Sequence, residues 1–421
     1  MRRTMTAIAA LAFGALASGA AFAGDVRLMW YSDGVEGEVI KDLVARFMAD
    51  NPGINVIVDE VAYKVVQEQL QIQLEAGEGP DIARVTNIKA LAPHWLDLTP
   101  HLSDPEYWRT NFSAQADWMR EDGSQAITGF MTQITLTGGF ANKTLFDQAG
   151  VALPGDEATW DDWVNAAAEV AASQGTAAAF AIDRSGHRIS GPNVSFGANY
   201  IGPDGAPLPV DAGVKAFAEK LVQWVADGKM LKDTWVAASG STYRAAADDF
   251  INAQIPYYYS GSWQIANLST KIGDGFDWVA TGSPCGTAGL AGGAALVAIK
   301  YTKNPEEVAK VMEFLAREDI VKEFSERTLF LPAHKGVVEK GGMAWQTEDK
   351  NVEAALNKFI EASGDVLPGA AALPAWKWGS AYYGALVNRI SQVMAGELTL
   401  EDAYSRIDAD IAEQVAQAGG N

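Results

Sequence analysis

The chain of 421 residues carries 53 Asp and Glu against 32 Lys and Arg, a formal charge of −21, with 48% hydrophobic and 20% charged residues. This is the composition of an ordinary globular protein long enough for two domains or lobes. The acidity excludes nucleic acid and anionic membrane surfaces as partners, because the phosphate attraction that drives such binding becomes repulsion here.

The first 23 residues read as a secretory signal. Arg2-Arg3 forms a positive start, Ala7 to Ala17 an apolar run, and Ala21-Phe22-Ala23 a small-residue cleavage site. Cleavage is expected after Ala23. The only cysteine, Cys285, lies far away. No lipid-attachment cysteine follows the signal, and an internal disulfide is excluded. No later segment reaches the roughly 18 apolar residues of a membrane span. The expectation is an exported, soluble, periplasmic protein with no direct membrane insertion.

Val26 to Tyr31 reads as a buried strand, followed by the loop Ser32-Asp33-Gly34. Val39, Ile40, Leu43, Val44, Phe47 and Met48 then fall on one helical face. Asn51-Pro52-Gly53 stops that helix, and Ile54 to Val58 is β-branched and strand-like. Tyr63 to Ala76 reads as a second helix, broken by Gly77-Glu78-Gly79-Pro80-Asp81, and Ile82 to Val85 as a third strand. The alternation predicts an α/β fold with a largely parallel sheet. Later helix starts are marked by Thr159 with Asp162 as a capping box, by Asn304-Pro305-Glu306-Glu307, and by Thr399. No repeat, heptad pattern or low-complexity linker is present, so the lobes are expected to join through ordered crossings.

The usual marks of catalysis are missing. His94, His101, His187 and His334 are scattered and form no metal-ligand pair. Neither a nucleophile elbow nor a phosphate loop occurs, and the glycines of Ala291-Gly292-Gly293-Ala294 precede no lysine. A glycosidase needs only two carboxylates at a suitable separation, so that class stays open. What stands out is aromatic residues beside turns: Trp30-Tyr31-Ser32-Asp33, Ser260-Gly261-Ser262-Trp263 and Trp376-Lys377-Trp378. In open α/β sheets ligands bind at the carboxyl ends of strands. Indoles there suit the apolar face of a sugar ring, with polar side chains serving its hydroxyls. Each tryptophan taken singly reads equally well as core packing.

The order of these features resembles the family 1 extracellular solute-binding proteins, the sugar-binding components of ABC importers. The residues carrying the resemblance are Phe47 through Val56 with its Asn-Pro-Gly-Ile turn, Gly77 through Ile82, and Phe140 through Phe146 with its Asn-Lys-Thr-Leu-Phe end. Thr159-Trp160-Asp161-Asp162-Trp163, Ser260 through Trp263, and Gly292-Gly293 leading on to Asn304-Pro305-Glu306-Glu307 complete the set. The resemblance implies a two-lobed periplasmic binding protein fold, with a ligand cleft between the lobes. After the signal peptide over 1–23, it implies lobe one over 24–134 and 292–331, and lobe two over 135–291 and 332–421. It also implies a carbohydrate ligand, a membrane permease as partner, no cofactor, no metal, no catalysis and a monomer.

Carried over position by position, the ligand-binding residues are expected to be Tyr31, Ser32 and Asp33 after the first strand, and Arg84, Thr86 and Asn87 around the third. Trp263 matches the family's stacking aromatic, and Gly293 would let the backbone approach the ligand. Trp376, Trp378 and Tyr382 lie where relatives carry aromatic platforms. His187 and Arg188 sit in the cationic stretch Asp183-Arg184-Ser185-Gly186-His187-Arg188. Arg84, Arg184 and Arg188 keep open a polyol or an anionic (sulfonated or phosphorylated) sugar as ligand. A secreted glycoside hydrolase or lectin-like module is the alternative of another class.

Overall fold

The computed structural model describes residues 24–285 and 289–419, and the expected signal segment 1–23 lies outside the described residues. Eight strands run β1 (Asp25–Trp30), β2 (Asn55–Glu60), β3 (Ile82–Val85), β4 (Gly129–Asn142), β5 (Phe180–Ile182), β6 (Tyr257–Gly261), β7 (Trp278–Thr281) and β8 (Ala291–Ala298). They are joined in the order β2-β1-β3-β8-β4-β6-β5, with β7 also on β4. The first three strands are parallel, as their helical crossovers require. β8 runs antiparallel to β3 and to β4, so β4 points the same way as the first three strands. The sheet is mixed, with β8 the reversed strand among these five, because it returns over a long connection, free of the right-handed crossover rule.

Strand β4 is the backbone of the arrangement. Its first half pairs with β8, from Gly129 opposite Val297 to Leu136 opposite Ala291. Its second half pairs with β6, from Thr137 opposite Gly261 to Ala141 opposite Tyr257. One 14-residue strand thus belongs to two half-sheets. Where it passes between them, the Ile134 amide donates to the Leu331 carbonyl and the Thr137 amide to the Leu290 carbonyl. Three chain segments therefore lie side by side at the crossing.

Each half-sheet is buried on both faces, and strand alternation assigns the faces. In the first, Val26, Leu28 and Trp30 pack with Leu296, Phe47 and Met312, while Met29 and Tyr31 pack with Val85, Leu70 and Val297. In the second, Tyr257 and Tyr259 join Trp160, Phe217 and Trp224, while Tyr258 joins Phe140, Phe250 and Trp278. The consecutive tyrosines of β6 are core residues for this reason. The helix over Lys335–Lys340 puts Val337 into the first core, beyond the crossing at Leu331.

The helix over Glu36–Asp50 buries Val39, Ile40, Leu43, Val44 and Phe47 and ends where Asn51 caps the Phe47 carbonyl. Thr159 and Asp162 form a reciprocal capping box, and Thr399 accepts from the Asp402 amide. Asn304 behaves differently from expectation. Its side chain donates to the Asp25 carbonyl, pinning the start of β1, and does not cap the helix over Pro305–Leu315.

Candidate functional site

The junction of the two half-sheets encloses a cavity of about 1000 Å³, counting its open mouth. The carboxyl end of β1 supplies Tyr31 and Asp33, and the segment after β3 supplies Thr86 and Asn87. The crossing strands add Gln133, Thr135 and Gly293, and the helix over Gly186–Ser195 adds His187 and Arg188. Trp263 follows β6, and Trp376 precedes the helix over Gly379–Ala395. Nine of the expected residues therefore face one space.

Four others do not. Ser32 turns away and donates to Glu60 at 2.7 Å. Arg84 is wholly buried beneath the cavity floor, since every side chain of β3 points into packed layers. Its guanidinium donates to the Tyr31 carbonyl and to Glu36 at 3.2 Å, and lies over the Tyr31 and Trp30 rings. Trp378 packs against the second core, with Lys377 over its ring. Tyr382 is buried edge-on against Tyr200 at 4.7 Å. The next residue, Tyr383, lines the cavity instead, because one residue turns about 100° on a helix.

Two lining residues play other parts than expected. Trp263 is only 8% exposed, and one of its faces carries the Arg188 guanidinium at 3.9 Å. It is a seat for Arg188, so its indole is not open to a sugar. Gly293 has a φ of +156°, and a Cβ there would stand 2.2 Å from the Gln133 carbonyl oxygen. Its close approach is to the neighbouring strand, which also explains the glycine.

Sequence reasoning missed Tyr63, Trp118, Tyr243 and Tyr383. Tyr63 lies just past the carboxyl end of β2, the kind of position that flagged Tyr31. Trp118 sits in a four-residue helix, Ala116–Met119, too short for any periodic signal. It is half-buried, and among the described residues no aromatic ring or cation stacks on its indole. Trp376, by contrast, is tied by its Nε1, which donates to the Gly205 carbonyl.

The charges are arranged in two buried groups. Asp33 faces Glu36 from the helix over Glu36–Asp50, whose carboxylate accepts the Asp33 amide, and Arg84 from β3 at 3.7 Å. Burial first, then Glu36, raise the Asp33 carboxyl to about 7, against the pull of Arg84 and Arg188. On the far wall Asp183 is fully buried and accepts four bonds, from Tyr243, Tyr258, Ser260 and the Ala246 amide. Arg188 lies 3.6 Å from it. Burial and then the Arg188 charge push His187 down to about 3, so its imidazole is neutral at physiological pH. Arg184 serves the fold: it donates to the carbonyls of Trp235, Gly240 and Thr242 and to Ser391. Among the described residues, no group of three or more His, Cys, Asp or Glu could hold a metal ion. None of their helices is long and apolar enough to cross a membrane.

The family model for bacterial extracellular solute-binding proteins matches residues 42–354. A curated relative from Brucella abortus, named only as a binding protein, is 23% identical over 383 residues, 86% of this chain and 88% of its own. Among solved structures, an ABC substrate-binding protein of Listeria monocytogenes in complex with cycloalternan is similar with a TM-score of 0.75. It is 19% identical, covering 93% of this chain and 99% of that one. The GacH receptor of Streptomyces glaucescens, solved unliganded and with acarbose, gives 0.74 at 17% identity, covering 91% and 97%. These likenesses are to two-lobed binding proteins.

Proposed function

This chain belongs to the bacterial extracellular solute-binding proteins, and we propose that it captures a carbohydrate between its two lobes and delivers it to the permease of an ABC importer. The observation that carries the reading is the wall of the cavity. Aromatic rings from both half-sheets (Tyr31, Tyr63, Trp118, Tyr243, Tyr383) alternate there with hydrogen-bonding side chains such as Asn87, Gln133 and Thr135. Flat apolar faces with polar groups between them are what a sugar ring requires. The similar receptors solved with acarbose and cycloalternan support the same substrate class.

A hydrolase fits less well. Glycoside hydrolysis needs two carboxyl groups flanking the bond, and among the described lining residues Asp33 is the single carboxylate. We therefore read the protein as a receptor without catalysis, working as a periplasmic monomer after loss of residues 1–23. We divide its lobes at the crossings near 134, 291 and 331, where β4, β8 and Leu331 run together, with the helix over Lys335–Lys340 still packed on the first lobe.

Calorimetric titration against a panel of mono- and oligosaccharides tests this, with Trp118→Ala alongside the wild type. Removing a stacking indole costs about 1.5 kcal/mol, roughly tenfold in Kd. If no sugar in the panel binds the wild type, the carbohydrate assignment is wrong. If one binds and Trp118→Ala leaves its affinity unchanged, Trp118 is not the platform.

A further inference from the structure

On that reading of the cavity, we infer that the ligand is an acidic sugar carrying a single carboxylate, and that Arg188 is the group that reads it.

The cations around the cavity can be sorted by what they already hold. Lys89 reaches Asp122 at 2.7 Å and the carbonyls of Asp117 and Arg120. Arg84 is engaged by the Tyr31 carbonyl and Glu36, and Arg184 by three carbonyls and a hydroxyl. Arg188 differs. Its side chain is 11% exposed, its Nε is buried without a hydrogen-bond partner, and no acceptor is assigned to its terminal nitrogens among the described residues. The nearest carboxylate, Asp183, stands 3.6 Å from Nε, and its oxygens are taken by four other donors.

The guanidinium is nevertheless held in place. It lies on Trp263 at 3.9 Å and near Tyr243 at 5.7 Å. Gly261 makes that seat possible, because a Cβ there would meet the six-membered ring of Trp263 at 1.9 Å. A planar fork of donors, oriented in advance and short of acceptors, matches a carboxylate in both shape and charge. Asp183 balances the charge without taking the fork's donors, and a carboxylate fills such a fork with charge-assisted bonds roughly twice as strong as those to neutral hydroxyls.

Asp33, the single carboxylate among the described lining residues, sets the charge of the ligand. Asp33 is faced by Glu36, by Arg84 and Arg188, and by the phenols of Tyr31, Tyr63 and Tyr243. Its carboxyl, already raised to about 7, rises further when a second carboxylate enters. The complex therefore takes up a proton on Asp33, which then donates to the ligand. A phosphate dianion would bring two charges to a site with one uncommitted cation.

The test is titration of the full mature protein at pH 6 and pH 8 with glucuronate and galacturonate. Their neutral counterparts glucose and galactose are measured beside them, with glucose 6-phosphate as the dianion. The expected result is a uronate bound at least about tenfold more tightly than its neutral parent. Its affinity should weaken from pH 6 to pH 8, approaching about tenfold per pH unit above the Asp33 titration. Arg188→Gln should cost about a hundredfold for the acid and little for the neutral sugar, Arg188→Lys should restore part of it, and Asp33→Asn should flatten the pH profile. If Arg188→Gln does not fold, the acid-to-neutral ratio and the pH slope of the wild type decide. Neutral sugars binding as tightly as uronates would overturn the inference and leave the carbohydrate receptor standing. Tighter binding of the sugar phosphate would overturn the carboxylate assignment. Binding of no sugar at all would remove the proposed function, and this inference with it.

Discussion

Replacing Asp33 with asparagine should stabilise the protein at alkaline pH, and the structure fixes the sign. A carboxyl raised on folding, from 3.8 to about 7, binds more protons in the folded chain than in the unfolded chain between those values. Stability contributed by this group is therefore unaffected below about pH 4, falls as pH rises through that window, and levels off above pH 7. The full shift corresponds to a ceiling of about 4 kcal/mol. Asp33 is 26% exposed, and Arg84 and Arg188 oppose the rise, so screening leaves about 1–2 kcal/mol. Urea unfolding followed by tryptophan fluorescence at pH 5 and pH 8 measures it. Asp33→Asn should raise the midpoint at pH 8, with under half of that gain at pH 5. An equal loss of stability at both pH values would mean that Arg84 holds Asp33 as a net favourable ion pair, and the reasoning would fall.

Two further changes probe the opposite wall. Asp183→Asn removes acceptor capacity from a buried oxygen pair serving four donors and leaves Arg188 without its counter-charge. It should cost about 3 kcal/mol by chemical denaturation, and a loss under about 0.5 kcal/mol would show the hydroxyls have other partners. Gly261→Ala forces a Cβ against Trp263 and, at 2.6 Å, the Leu136 carbonyl, in an extended backbone that itself tolerates alanine. Overpacking of that kind costs about 1–3 kcal/mol, and an unchanged unfolding midpoint would mean the indole moves aside freely.

Local rules made much of the fold legible. The face of the helix over Glu36–Asp50 and the capping box at Thr159 depend on residues within a few positions of one another. Strand existence was legible for the same reason, but strand direction was not, since β8 reaches β3 from more than 200 residues away in the chain. In the site, the loops were legible and the orientation of their side chains was not. Whether Tyr382 or Tyr383 faces the cavity is a matter of one helical step. Trp263 reads as an open platform until Arg188, 75 positions earlier, is seen to occupy its face. Arg84 reads as a ligand-binding cation because the strand Ile82–Val85 gives no hint that an acid from the first helix, Glu36, will be buried against it.

The same long-range pairings suggest how capture and closure are linked. On the proposed division, two hydrogen bonds and an aromatic pair bridge the lobes beside the cavity. Ser380 donates to Asn87 at 2.5 Å, Thr242 lies 3.4 Å from Glu68, and the rings of Tyr63 and Tyr243 meet edge to face at 5.7 Å. Each such contact contributes about 1 kcal/mol net, so they guide the lobes into register without holding them shut. The decisive groups are behind them: an acid on one wall and a buried cation on the other, with no ion pair within 4 Å between them among the described residues. A ligand shifts closure only by its differential affinity for the closed state. One that donates to or accepts from Asp33 while accepting from Arg188 interacts with both walls at once, and it can do so fully only when the lobes are together. Electrostatic complementarity to the ligand would then be the source of closure as well as of recognition.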